Sequence, residues 1–205
     1  MNKPFSQACV NNQQPIIDVL KRVFSDRQQV LEIASGTGQH AVYFSAALPH
    51  LKWHCSDLAV NHQGINAWLD DVLQAGATNI ARPLILDVTQ AQWPCLVADA
   101  RCDALFSANS LHIMPWSAVE ALFAQLNTYL PIDAIVAIYG PFNYNGCYTS
   151  ESNQQFDGRL YLRSPLSAIR DFEAVNALAK EAGLELLEDN AMPANNRLLV
   201  WRKNF

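Results

Sequence analysis

The sequence predicts one α/β domain on a mostly parallel sheet that ends in a single antiparallel strand. Three observations carry this reading. Strand-like apolar runs alternate with short helical segments, the signature of βαβ units. The strand-like runs lack strict polar–apolar alternation, as expected of parallel strands covered on both faces. The last two runs, "LELLED" (184–189) and "RLLVWRK" (197–203), are separated only by "NAMPANN". No crossover helix fits there, so that pair is antiparallel.

Taken in order, "PIIDVLKRVF" sets Ile16, Ile17, Leu20, Val23 and Phe24 on one helical face, with Pro15 suited to a first turn. "VLEIA" (30–34) reads as a buried strand and "GQHAVYFSAAL" as a helix stopped near Pro49. "LKWHCSDL" is a second strand. "INAWLDDVLQAG" is a helix with Gly76 as its C-terminal cap. "PLILDV" (83–88) and "DALFSANS" (103–110) are the third and fourth strands. "SAVEALFAQLNTYL" is a helix and "AIVAIYG" the fifth strand. Residues 139–171 carry few signals of regular structure, and "DFEAVNALAKEAG" is a helix capped by Gly183.

With 205 residues, 50% hydrophobic and 16% charged, the chain suits one globular domain over residues 1–205. Residues 1–29 form an N-terminal helical segment, and no linker or repeat marks a boundary. The formal charge of −5 argues against a nucleic-acid partner. No apolar run is long enough for a membrane helix, and the first residues do not read as a signal peptide. Five scattered cysteines without a C-x-x-C pair suggest neither zinc nor disulfides and fit a reducing cytoplasm. His50, His54 and His62 straddle Pro49 and a strand, so no metal site is expected.

Function enters at "VLEIASGTGQH". Gly36, Gly38 and Ala41 fit G-x-G-x-x-G/A after a strand, and Asp57 follows Gly38 by 57 − 38 = 19 residues. That pattern serves a nicotinamide dinucleotide, S-adenosyl-L-methionine, or a turn that holds nothing. Three features separate the first two. Glu32, inside the strand, would repel a pyrophosphate but suits the sulfonium and ammonium of the methyl donor. Asp87 at the third strand end can accept from an adenine amino group. No tyrosine has a lysine four residues on, the pair a small reductase uses as proton donor.

"LEIASGTGQH", "SDL", "LDV" and "FSANSLHIMPW" resemble the successive cofactor motifs of class I S-adenosylmethionine-dependent methyltransferases. "PFS-A", "SGTGQHAVYF", "ANSLHIMPW", "YTSESN--FD", "IRDFE" and "MPANNRLLVWR" more closely resemble domain-of-unknown-function family 938, a methyltransferase-like group. The resemblance implies a three-layer Rossmann-like fold, with seven strands, the last antiparallel, and helices on both faces. It implies S-adenosyl-L-methionine as cofactor, with Glu32, Gly36, Gly38, Asp57 and Asp87 as contacts and Ala34 and Asn109 as lesser ones. Ala34 departs from the glycine common there and is expected to narrow the loop slightly.

On the acceptor side, Asn109 and His112 follow the fourth strand, although His112 equally suits a cap or packing role. Residues 139–171 are read as a lid over the acceptor site. Within the lid, Tyr144, Glu151, Asn153 and Arg170 are expected to bind the acceptor. His112, Tyr148 and Asp157 are the candidates for catalysis. Asn195 and Asn196 are explained by turn chemistry alone. The expected activity is methyl transfer to a small molecule. Its rivals are a protein that binds the cofactor without catalysis and, less favoured, a nicotinamide-dependent oxidoreductase.

Overall fold

In a computed structural model, which describes residues 3–94 and 101–205, seven strands form one sheet in the order β3-β2-β1-β4-β5-β8-β7. These are β1 (Gln29–Ile33), β2 (Lys52–Asp57), β3 (Ile80–Ile85), β4 (Ala104–Ala108), β5 (Ile135–Asn143), β7 (Leu184–Met192) and β8 (Asn196–Lys203). A two-residue β6 (Arg170–Asp171) pairs in parallel with the end of β5. β8 runs antiparallel to both neighbours, β5 and β7, while the pairings among β1 to β5 are parallel. The antiparallel final strand is therefore inserted between β5 and β7.

The sheet divides the core into two layers because successive side chains leave opposite faces. Val30, Trp53, Phe106, Leu198 and Val200 pack on one face with Ile16, Ile17 and Leu20 of α1 (Gln7–Val23), Phe44 of α2 (Gln39–Ala47) and Ile65 and Leu69 of α3 (His62–Gln74). Leu31, Ile33, Leu105 and Trp201 pack on the other with Leu122 and Phe123 of α4 (Trp116–Tyr129) and Val175 and Ala179 of α6 (Phe172–Glu181). Gly76 and Gly183 take left-handed φ values of 93° and 75° just past the ends of α3 and α6, where a side chain would be strained. Cys55 and Cys102 are buried, Cys9 is half-buried and Cys147 is exposed; Cys95 lies outside the described residues.

Three expectations are corrected. α1 begins at Gln7, with Ser6 Oγ accepting from Cys9 N, so Pro15 lies inside the helix and not in its first turn. The third strand lies at 80–85, and Pro83 is tolerated there because β3 is the sheet edge. Residues 139–171 are not irregular throughout. They hold α5 (Glu151–Arg163), capped by Ser150 Oγ, which accepts from Asn153 N at 3.1 Å. Its apolar signal was weak because only Asn153 and Leu160 of this helix are buried. Replacing Ser150 by alanine should cost about 1 kcal/mol locally, as typical for an N-cap. Hydrogen exchange within 151–163 should accelerate while that of β1 is unchanged.

Candidate active site

The glycine loop leaves β1 through three constrained residues. Ala34 (φ 56°), Gly36 (φ 59°) and Gly38 (φ 85°) are all left-handed, and Gly38 is the N-cap of α2. A Cβ on Gly38 would lie 3.1 Å from Ile65 Cα, so α3 packs directly on the backbone there. A Cβ on Gly36 would meet nothing nearer than Ala34 O at 3.9 Å, so that backbone faces open space. The open side is where a ligand can approach the chain closely.

The loop is tied to the end of β2 by buried polar groups. Asp57 Oδ2 accepts from Gly36 N at 2.7 Å, and its Oδ1 accepts from Leu58 N and Asn61 Nδ2, each at 2.7 Å. Ser35 N donates to Ser56 O, and Ser56 Oγ donates to Glu32 O at 2.6 Å. Glu32 itself is buried, and its Oε2 accepts from Trp53 Nε1 at 2.9 Å and Ser35 Oγ at 3.0 Å. Burial pushes the Glu32 carboxyl up to about 7, offset in part by those two donors and reinforced by the charge of Asp57.

The other residues expected to contact a cofactor lie at or just beyond strand ends. Asn109 (φ 57°) follows β4 directly and is fixed by its N–H to Tyr139 O at 2.8 Å. Asp87 lies two residues beyond β3. Its Oδ1 accepts from Thr89 N and Thr89 Oγ1, which hold the carboxyl below its ordinary value. The N-terminal segment also reaches the loop. Ser6 N donates to Gln39 Oε1 at 2.6 Å, Trp68 Nε1 donates to Pro4 O at 2.7 Å, and Asn12 Oδ1 lies 2.7 Å from His40 Nε2.

The acceptor-side residues separate into two groups. Tyr148 OH donates to Asp157 Oδ2 at 2.8 Å, and Asp157 Oδ1 accepts from Ile169 N at 2.6 Å. That bond holds the Tyr148 hydroxyl above its ordinary value, so Tyr148 keeps its proton. His112 is buried edge-on against Phe156, ring centroids 5.4 Å apart. Burial, then the neighbouring Arg170 charge, lowers it to about 4, so it is neutral at physiological pH and a weak base. Asp157 thus ties the Tyr148 side chain to the backbone at Ile169.

Tyr144, Asn153 and Arg170 are mainly structural in their polar contacts. Tyr144 OH donates to Asp189 Oδ2 at 2.7 Å. Asn153 is buried, with Nδ2 donating to Thr149 Oγ1 and Asn195 O. Arg170 donates to the carbonyls of Leu111, Met114 and Leu166, bracing the loop after β4. Glu151 is exposed in the first turn of α5.

A cavity of about 420 Å³ opens between the end of β5, the start of α5 and the β7–β8 turn. Its walls are Tyr144, Thr149, Ala191, Met192, Asn195, Asn196 and Arg197. Of these only Tyr144 was singled out by the sequence; the turn asparagines were assigned to turn chemistry alone. The missing signal is conformational. Ala194 and Asn195 both have φ 57°, and such a left-handed pair has no unique letter code.

This architecture is that of the methyltransferase α/β fold. An O-methyltransferase family 2 protein from Planctomyces limnophilus, solved with apigenin, superposes with a TM-score of 0.79 at 16% identity, covering 96% of this chain and 57% of that one. An O-methyltransferase family protein from Burkholderia thailandensis gives 0.78 at 14%, covering 94% and 56%. Human N-acetylserotonin methyltransferase, solved with S-adenosylmethionine, gives 0.72 at 13%, covering 94% and 55%. The chain thus spans little more than half the length of these structures. The chain itself belongs to the family described as protein of unknown function, DUF938, whose model matches residues 3–203.

Two outcomes follow for the loop. Gly38→Ala should lower stability by about 2 kcal/mol or more, because it adds both left-handed strain and a contact with Ile65; thermal unfolding reads this. Glu32 has a raised folded-state value, so the folded protein binds the extra proton and stability falls as pH rises from about 4.5 to about 7. The loss is about 3 kcal/mol at most, taking 1.36 kcal/mol per unit. Glu32→Gln should flatten that part of the pH–stability curve, measured by denaturant titration at several pH values.

Proposed function

We propose that this chain binds S-adenosyl-L-methionine at the β1–β2 edge and transfers its methyl group to a small-molecule acceptor beneath residues 139–171. The observation that carries the reading is the Asp57 carboxylate bound to Gly36 N beside the open face of the glycine loop. It supports the reading because a strand-end carboxylate of the kind that accepts from ribose hydroxyls stands beside backbone that a ligand can approach. The buried carboxyl of Glu32 supplies the negative charge that a sulfonium and ammonium favour and a pyrophosphate does not. The similarity to methyltransferase structures supports the same reading at the level of the fold.

When bound, the cofactor supplies a methyl group activated by its positive sulfur. The chain's own residues then have to align the acceptor and exclude water. Glu32 and Asp57 would hold the cofactor, with the Ala34–Gly38 backbone as floor. Asn109, fixed by Tyr139 O, would line the space between cofactor and acceptor. His112, a neutral imidazole packed edge-on against Phe156, is the best candidate to take a proton from the acceptor. Its low basicity suits an acceptor atom that is itself acidic. Tyr148, Asp157 and Arg170 position the lid.

Calorimetric titration with S-adenosylmethionine and its demethylated product should give saturable binding. A folded sample that binds neither at millimolar ligand sinks the proposal. Asp57→Ala should weaken binding by about tenfold or more, the cost of an unpaired buried ribose hydroxyl. Because a cationic ligand favours ionised Glu32, titration near pH 6 in two buffers of different ionisation enthalpy should reveal proton release on binding, absent in Glu32→Gln.

A further inference from the structure

Two acceptor oxygens on the lid side have no donor. Asn143 Oδ1 and Asp171 Oδ1 are both buried and without a hydrogen-bond partner. They belong together: Asn143 and Asp171 are register partners in the β5–β6 ladder, so their side chains leave it on the same face. Asp171 is also the N-cap of α6, a position where aspartate ordinarily accepts from the helix backbone, yet its side chain makes no cap bond. Each orphaned acceptor costs stability if nothing from outside satisfies it.

The nearby donors are committed elsewhere. Arg170 is spent on three main-chain carbonyls, Arg197 on Asp189, Tyr148 OH on Asp157, and Asn145 N on Glu173. These donors therefore leave one carboxylate oxygen and one amide oxygen unpaired. A metal ion does not fit this set, since no group of three or more His, Cys, Asp or Glu able to hold one occurs among the described residues. A donor with several N–H bonds and a positive charge matches one carboxylate and one amide oxygen.

We infer that Asn143 and Asp171 form a recognition site for a primary ammonium group carried by the methyl acceptor. The inference rests on the proposed methyltransferase reading for the identity of the molecule, but the site can be tested without it. The pair anchors the acceptor and takes no part in bond making.

The probe is methylammonium, titrated against a sodium control into the full chain loaded with S-adenosylhomocysteine. The readout is the Asn143 side-chain amide by NMR, with the Gly36 and Gly38 amides reporting the cofactor site in the same spectra. A saturable methylammonium shift at Asn143 is expected. Asp171→Asn, which keeps the size of the cap residue, should weaken it by about tenfold or more, as for the loss of a charge-assisted hydrogen bond. Asn143→Asp should tighten it. Absence of a saturable shift, or an equal shift in Asp171→Asn, overturns the inference. So does an Asn143 amide whose protons are already protected and respond to Asp171→Asn without ligand, since the two groups would then satisfy each other. A silent Gly36 and Gly38 response to S-adenosylhomocysteine overturns the cofactor reading instead, leaving the methylammonium result to stand or fall alone.

Discussion

The bond from Gly36 N to the Asp57 carboxylate is the constraint around which the candidate site is organised. It fixes the turn that follows β1 against the end of β2, so two strands that are neighbours in the sheet present their ends as one surface. The tie is reinforced below by Ser35, Ser56 and Glu32, all buried and all bonded to one another. A buried polar lattice of this kind is worth having only if fully satisfied. Here its members find partners, which pre-forms the loop before any ligand arrives. Ala34 and both glycines can then keep left-handed backbone without the loop collapsing onto α3.

The opposite half of the sheet edge is built on different terms. β5 runs past the sheet to Asn143, and α5 is docked on the β7–β8 turn through Asn153. That turn carries two consecutive left-handed residues, one of them alanine, at a cost of about 1–2 kcal/mol for the alanine. Strain of this size persists only where surrounding contacts over-determine it. The Asn153–Asn195 and Asp189–Arg197–Tyr144 contacts do so, and together they leave a cavity beside the strand ends. The glycine-loop side is a welded floor, and the opposite side is a clasp of a helix, a turn and a strand end.

Several residues read from the sequence as chemical also have a mechanical part in this arrangement. Tyr148, Asp157 and Arg170 sit where the lid was expected, yet their polar atoms brace the lid's own backbone. Asn153 does the same for α5. Residue type and segment marked a region dense in polar contacts, because acids, amides and tyrosines gathered there need partners. Which partner each takes depends on chain segments tens of residues away, such as Ile169 for Asp157 and Asn195 for Asn153, and no local pattern encodes that.

By itself the sequence determined the sheet and its handed-off order of strands and helices, because apolar periodicity, cap glycines and the short final connection act locally. It also determined the glycine loop with its acids, since left-handed turns and a strand-end carboxylate leave a letter pattern. Only the tertiary structure decided the interior position of Pro15, the helix hidden in residues 151–163, and the cavity walled by Asn195, Asn196 and Arg197. It alone decided that Asn143 and Asp171 are register partners, each with one unsatisfied oxygen. Those features rest on long-range pairing and on the absence of partners, and an absence is written nowhere in the order of residues.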